Sequence, residues 1–381
     1  MDTNDFLGSF AQENVSFSTQ IVRTAAVGDN YWTQMIFVEK DRFVDATQDG
    51  WEDAPGLPGC KVLVVTADTY SAYTSGLLAS WLYDLFCNGF TGNCILAAPE
   101  AKQETPAADD TFQTALEEAY EVLKPYAYHK TICAGGDDVV FPAYAVALAK
   151  KCMSDSYLSG APMLPVVGTN PDLDTDPLYS ALKAANADAF MAWHSDSTRN
   201  AALYSLGLAL AFYNGSNTPV GNGMDMTASS NITASNGGVN PTLGQKTRLK
   251  AAYVQYFKTV GDNTGSVAAE TDKTILGQVY AAYWILAYIT YMVKVRVAQL
   301  LTQRNFYKNA QNYAKITATL EAYVNKFADS GVLRSVAFSY PSFENHPDAA
   351  DDEIVIPNAW SATYVNHLRK VTITGTLYIG S

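Results

Sequence analysis

Lys61-Val-Leu-Val-Val-Thr66, a helically spaced Ser75–Phe86 and Asn93-Cys-Ile-Leu-Ala-Ala98 follow one another with little between them. The two apolar runs are short, bounded by Gly59 and Asp68 on one side and stopped by Pro99 on the other. Runs of that length between turn residues read as strands buried on both faces. The same rhythm continues outward. Asp110–Leu123 is an amphipathic helix, Thr131-Ile-Cys-Ala134 a strand and Ala143–Met153 a helix. Met163-Leu-Pro-Val-Val167 and Ala189-Phe-Met-Ala-Trp193 are further strands, and Tyr31–Val38 precedes the series. Strands alternating with helices predict an α/β fold whose doubly wound, mostly parallel sheet is covered on both faces.

The flanks differ. Residues 1–30 are polar and weakly patterned, and Asn214–Asn240 is dominated by Asn, Gly, Ser and Thr, which predicts a surface loop. Beyond it the spacing predicts helices over Thr242–Phe257, Ile275–Val297 and Tyr307–Phe327. Val332–Tyr340 and Val371–Ile379 then read as strands. In the last, Val371, Ile373, Leu377 and Ile379 alternate across Gly375, and nothing follows to cover the edge they would present. Such an edge pairs readily with another chain.

Composition narrows the function. Charged residues make up 17% of the chain, below the usual quarter, which points to large uncharged contact surfaces. A net charge of −13 argues against a general nucleic-acid binder, since phosphate selects clustered cations. Five cysteines without a C-x-x-C pair fit a reducing compartment, and the acidic start lacks a signal-peptide pattern. Ile275–Val293 is long enough to span a bilayer. However, Tyr280, Tyr283, Tyr288 and Tyr291 are spread along it rather than gathered at its ends, so a buried helix is expected and no membrane insertion.

Catalytic patterns are weak. Asp68, Asp137, Asp138 and Asp196 follow strands, where a parallel sheet binds ligands, and together would suit a metal-dependent phosphoryl-transfer enzyme. No Walker loop or G-x-G-x-x-G supports that alternative. Asp172-Leu-Asp-Thr-Asp176 opens like a calcium loop, but Pro177 and Lys183 stand where Gly and Glu are required, so a helix cap is expected. His129, His194, His346 and His367 show no metal-ligand spacing. Neighbours on a strand face opposite ways, so His194-Ser195-Asp196 is no triad. Charge is the stronger signal. From Lys294 to Arg334 seven cations (Lys294, Arg296, Arg304, Lys308, Lys315, Lys326, Arg334) meet only Glu321 and Asp329, which reads as a basic surface facing an acidic partner.

Residues 187–381 resemble the tail-sheath proteins of contractile phages and related injection systems. The resemblance is carried by Ala187–Asp196, Asn200–Tyr204, Leu249–Lys258, Val260–Val267, Tyr283–Ile289, Ile356–Ala362 and Thr372–Ile379. It implies a structural subunit rather than an enzyme, without cofactor. Such a subunit polymerises as stacked six-membered rings around an inner tail tube and contracts to drive the tube through the host envelope. The implied organisation is an N-terminal arm (1–30), an inner α+β assembly domain (31–58 and 240–381), an outer α/β domain (59–213) and the loop 214–239. The implied partners are other copies of the chain, the tail tube protein, and baseplate and tail terminator proteins. No direct nucleic-acid contact is implied. Lys294, Arg296, Arg304, Lys308 and Lys315 become the tube-contact candidates, and Val371, Ile373, Leu377 and Ile379 the strand exchanged between subunits. The implied location is the virion tail, assembled in the bacterial host cytoplasm. An injection-system or bacteriocin sheath fits the same residues.

Overall fold

Alternation decides which way each strand side chain points, and here both directions are apolar. In the computed structural model Met35 and Phe37 enter one core while Ile36 and Val38 enter another. Phe190 and Ala192 are likewise separated from Met191 and Trp193. A sheet covered on both faces needs such uninterrupted strands. The structure describes residues 34–38, 43, 50–54, 56–99, 118–123, 129–132, 145–152, 166–170, 172–212, 241–260, 266–271, 273–345, 356 and 359–364.

Among the described residues eleven strands run in chain order: β1 (Gln34–Phe37), β2 (Glu52–Ala54), β3 (Leu57–Thr66), β4 (Asn93–Pro99), β5 (His129–Ile132), β6 (Val166–Thr169), β7 (Phe190–Trp193), β8 (Gln255–Val260), β9 (Ser266–Glu270), β10 (Leu333–Phe338) and β11 (Trp360–Tyr364). The first nine form one sheet in the order β2-β3-β4-β1-β5-β6-β7-β8-β9. From β4 to β8 all neighbours are parallel, with β2, β3 and β9 added antiparallel at the flanks. β10 and β11 pair separately and antiparallel.

The named helices are α1 (Gly76–Phe86), α2 (Pro177–Ala184), α3 (Ala201–Phe212), α4 (Leu243–Ala251), α5 (Tyr280–Leu301) and α6 (Ala310–Asp329). Residues 118–123 and 145–152 are also helical. On one face α1, α3, α5 and α6 share a core with Leu63, Leu96, Phe190 and Phe257. The helical residues 118–123 and 145–152 line the other face with α2 and α4. The α/β class with a mostly parallel sheet is therefore what the chain adopts.

Several local expectations are corrected. The sequence reads Thr242–Phe257 as one helix, but α4 stops at Ala251 and β8 begins at Gln255. Tyr253 adopts φ 59°, and Val254 N–H donates to Leu249 O, closing the helix in a Schellman turn. α5 starts at Tyr280 rather than Ile275, because Gly277 at φ 87° and the Thr274 N–H to Gln278 O bond hold a turn there. It then continues to Leu301. No helix among the described residues is long and apolar enough to cross a membrane. α6 begins at Ala310, three residues after the expected start, where Asn309 accepts from Asn312 N–H. The helix between β3 and β4 leads one to expect a parallel crossover, yet those strands are antiparallel, Thr66 facing Asn93 and Cys60 facing Pro99.

The expected division of the chain also meets the sheet in an unexpected way. β1 and β2 lie in 31–58 and β8 and β9 in 240–381, yet all four are hydrogen-bonded into the sheet that holds strands of 59–213. Residues 1–30, the loop 214–239 and the strand carrying Val371, Ile373, Leu377 and Ile379 lie outside the described residues.

Candidate functional site

Between Asp272 and Glu321 the sequence holds no carboxylate, and this acid-free stretch folds into α5, the connection 302–309 and the first half of α6. α6 buries Tyr313, Thr317, Val324 and Phe327, a helical stripe that fixes which side meets the core. Lys315, outside that stripe, is exposed, as are Arg296 and Arg304, while Lys308 is half-buried. Lys294 falls within α5.

Local packing gathers the connecting end of this helical pair. Asn312 caps back on the connection, donating from Nδ2 to Tyr307 O, and accepts from Lys315 Nζ at 3.0 Å. Lys315 Nζ also lies 5.8 Å from the centre of the Phe306 ring. Arg296 donates to Gln299 Oε1 at 2.8 Å. Arg296 and Lys315 thus have neutral hydrogen-bond partners, and among the described residues no carboxylate pairs with them or with Arg304. Unneutralised cations at one end of a helical pair attract an anionic surface. Tyr307, 67% exposed between Arg304 and Lys308, is an exposed aromatic that the charge count passes over. An aromatic flanked by cations in a short inter-helix connection is the sequence signal that would have found it.

β10 follows α6 directly, and Tyr313 Oη donates to Pro341 O just past that strand. The β10–β11 pair is bulged between Arg334 and Ala337 and, among the described residues, contains only two strands.

Of the aspartates of the enzymatic alternative, Asp68 and Asp196 are not brought together. Asp196 follows the carboxyl end of β7, whereas Asp68 follows β3, which runs against the parallel strands. The two therefore leave opposite edges of the sheet, separated by about the 20 Å length of a strand such as β4. Asp137 and Asp138 lie outside the described residues. The 172–176 carboxylates also have structural partners. Asp176 caps α2, accepting from Leu178 and Tyr179 N–H, with Pro177 in the first turn. Asp172 accepts from Arg248 and from Asp174 N–H, bonds that hold its carboxyl below the usual range. His194 is buried and its Nδ1 accepts from Asp196 N–H at 3.0 Å, so this short stretch is a closed turn. Burial pushes the Cys60 thiol up to about 11 and that of Cys87 to about 12, far from thiolate chemistry.

No protein-family model matches the chain, and no curated protein matches it. Solved structures do match. A chain of the anti-feeding prophage baseplate aligns with a TM-score of 0.59 and 11% identity, covering 95% of this chain and 96% of that one. A chain of the PVC sheath complex, an extracellular contractile injection system in its contracted state, aligns at 0.51 and 11% identity, covering 93% and 96%. The sheath tail protein of Listeria innocua aligns at 0.49 and 8% identity, covering 94% and 98%. Over nearly its whole length, the chain has the tail-sheath-like fold found in contractile injection systems.

Proposed function

We propose that the chain is a structural subunit of a contractile tail sheath, polymerising as stacked rings around an inner tail tube and contracting to drive that tube through a host envelope. The observation that carries this is the two-way coverage of the matches, 95% and 96% in the first and 93% and 96% in the second. A shared module inside otherwise different proteins would not cover both chains. One comes from an anti-feeding prophage baseplate and the other from an extracellular contractile injection system, which favours an injection-system sheath over that of a genome-delivering phage. Its partners are further copies of itself, the tube protein, and baseplate and terminator proteins, assembled in the bacterial host cytoplasm.

In this reading the helical pair α5–α6 faces the tube through Lys294, Arg296, Arg304, Lys308 and Lys315. The strand carrying Val371, Ile373, Leu377 and Ile379 adds to a neighbouring subunit. Among the described residues β10 and β11 form a two-stranded pair, which a further strand would extend and stabilise.

Tube contact is tested by reversing the exposed cations. Co-expressed with the tube protein of its own locus, the triple variant R296E/R304E/K315E is expected to retain less than about a tenth of the tubes that the wild type retains. Its stability should stay within about 0.5 kcal/mol of wild type, since surface changes seldom cost more. Equal tube recovery by the two proteins would refute a role for this face.

A further inference from the structure

We propose that His194 is a proton-sensitive latch on the turn that seats α3, acting whatever the chain assembles with. The turn 194–200 joins β7 to α3 and is held from several sides. Asn170 Nδ2 donates to the carbonyl oxygens of His194, Asp196 and Arg199, at 3.0, 2.8 and 3.2 Å. His194 N–H donates to Thr169 O at 3.0 Å. Asn200, at the start of α3, accepts from Ala202 and Leu203 N–H through Oδ1, and its own N–H donates to Asp84 on α1. The bond from Asp196 N–H to His194 Nδ1 closes the turn internally and differs from all the others. Only an imidazole without a proton on Nδ1 can accept it.

Adding that proton places two hydrogens against each other inside a side chain that is 6% exposed. The bond must break, and the new Nδ1–H needs an acceptor. The nearest candidate in sequence is the Asp196 carboxylate, which in the present turn accepts from Thr198 N–H at 2.9 Å and Thr198 Oγ1 at 2.7 Å. Protonation thus exchanges one set of bonds for another: Asp196 releases Thr198 and takes the imidazolium. The proton comes from solvent and remains on Nδ1, so the step is a simple acid–base equilibrium. The charged groups around the turn are Asp196 and Arg199 within it and Asp84 on α1. Asp176 at the α2 cap and Arg248 with Asp172 stand on the elements packed beside Trp193. An unperturbed imidazole titrates at about 6.5, within reach of mild acid.

Hydrogen exchange on the full chain reads the turn directly, in whatever assembly it occupies. Between neutral pH and about pH 5, after correction for intrinsic rates, protection of a peptide spanning 194–200 is expected to fall by about fivefold or more. A peptide from β3–β4 in the same molecule should keep its protection. In His194→Asn the side-chain oxygen can still accept from Asp196 N–H but does not titrate, so the acid-induced loss should disappear. Equal pH dependence of the two peptides in wild type overturns the proposal, and that comparison holds even if the variant does not fold. A variant that folds and loses protection in acid as the wild type does also overturns it.

Discussion

Asp84→Ala is expected to cost about 3–5 kcal/mol of folding stability, because it strands a cation inside the molecule. Asp84 is fully buried on α1, and the Arg199 side chain is 12% exposed. Arg199 Nε donates to both carboxylate oxygens, at 2.9 and 3.2 Å, its Nη2 pairs with Oδ1, and Asn200 N–H adds a bond of 2.8 Å to Oδ2. Burial pushes the Asp84 carboxyl up, while Arg199 and the Asn200 N–H pull against it. Neither charge has a second partner of opposite sign to fall back on among the described ion pairs. Replacing both partners tests the cause. The double variant D84L/R199M removes the stranded charge, and a buried pair exchanged for apolar side chains is often neutral or stabilising. Denaturant melts should therefore show the double variant recovering most of what Asp84→Ala loses. Additive losses would show that the pair matters for some reason other than charge.

Gly207→Ala is the second large effect, expected to cost about 3 kcal/mol. Gly207 lies in α3 where that helix crosses α1, and a Cβ placed on it would stand 1.9 Å from Leu85 O and 2.7 Å from Leu85 C. The obstacle is backbone, so no rotamer change relieves it and the helices must separate. That separation would loosen the face lined by Leu82, Leu85, Leu203 and Leu206. Gly244→Ala is the control. It lies in α4 with nothing nearer than Arg248 Nη1 at 3.6 Å, and alanine there should stabilise by about 0.5–1 kcal/mol through helix propensity. Thermal or denaturant unfolding of both variants should give shifts of opposite sign.

These two features show what a sequence conveys and what it withholds. Local patterns translated well: Asp176 capping α2 with Pro177 in its first turn, and the apolar runs of β3, β4 and β7, are all where short-range chemistry places them. Pairing did not, because it depends on contacts between distant parts of the chain. The helix between β3 and β4 implies a parallel crossover, and only the register of Thr66 with Asn93 shows otherwise. With that reversal Asp68 moves to the edge opposite Asp196. Arg199 and Asp84 are 115 positions apart, and neither carries a local signal of the other. The helix read through Tyr253 failed for a different reason. A tyrosine at positive φ is rare, so apolar spacing alone continued the helix into what is strand β8. The basic surface was legible because charge imbalance survives without coordinates. Its exposed aromatic, Tyr307, was not, because exposure depends on how α5 and α6 turn against each other.

The most direct test of a sheath subunit is negative-stain electron microscopy of the purified chain beside a variant lacking Val371–Ser381. Hollow tubes or stacked rings are expected from the full chain, and their loss on deletion. Monomers from both samples, across salt and protein concentration, would contradict it.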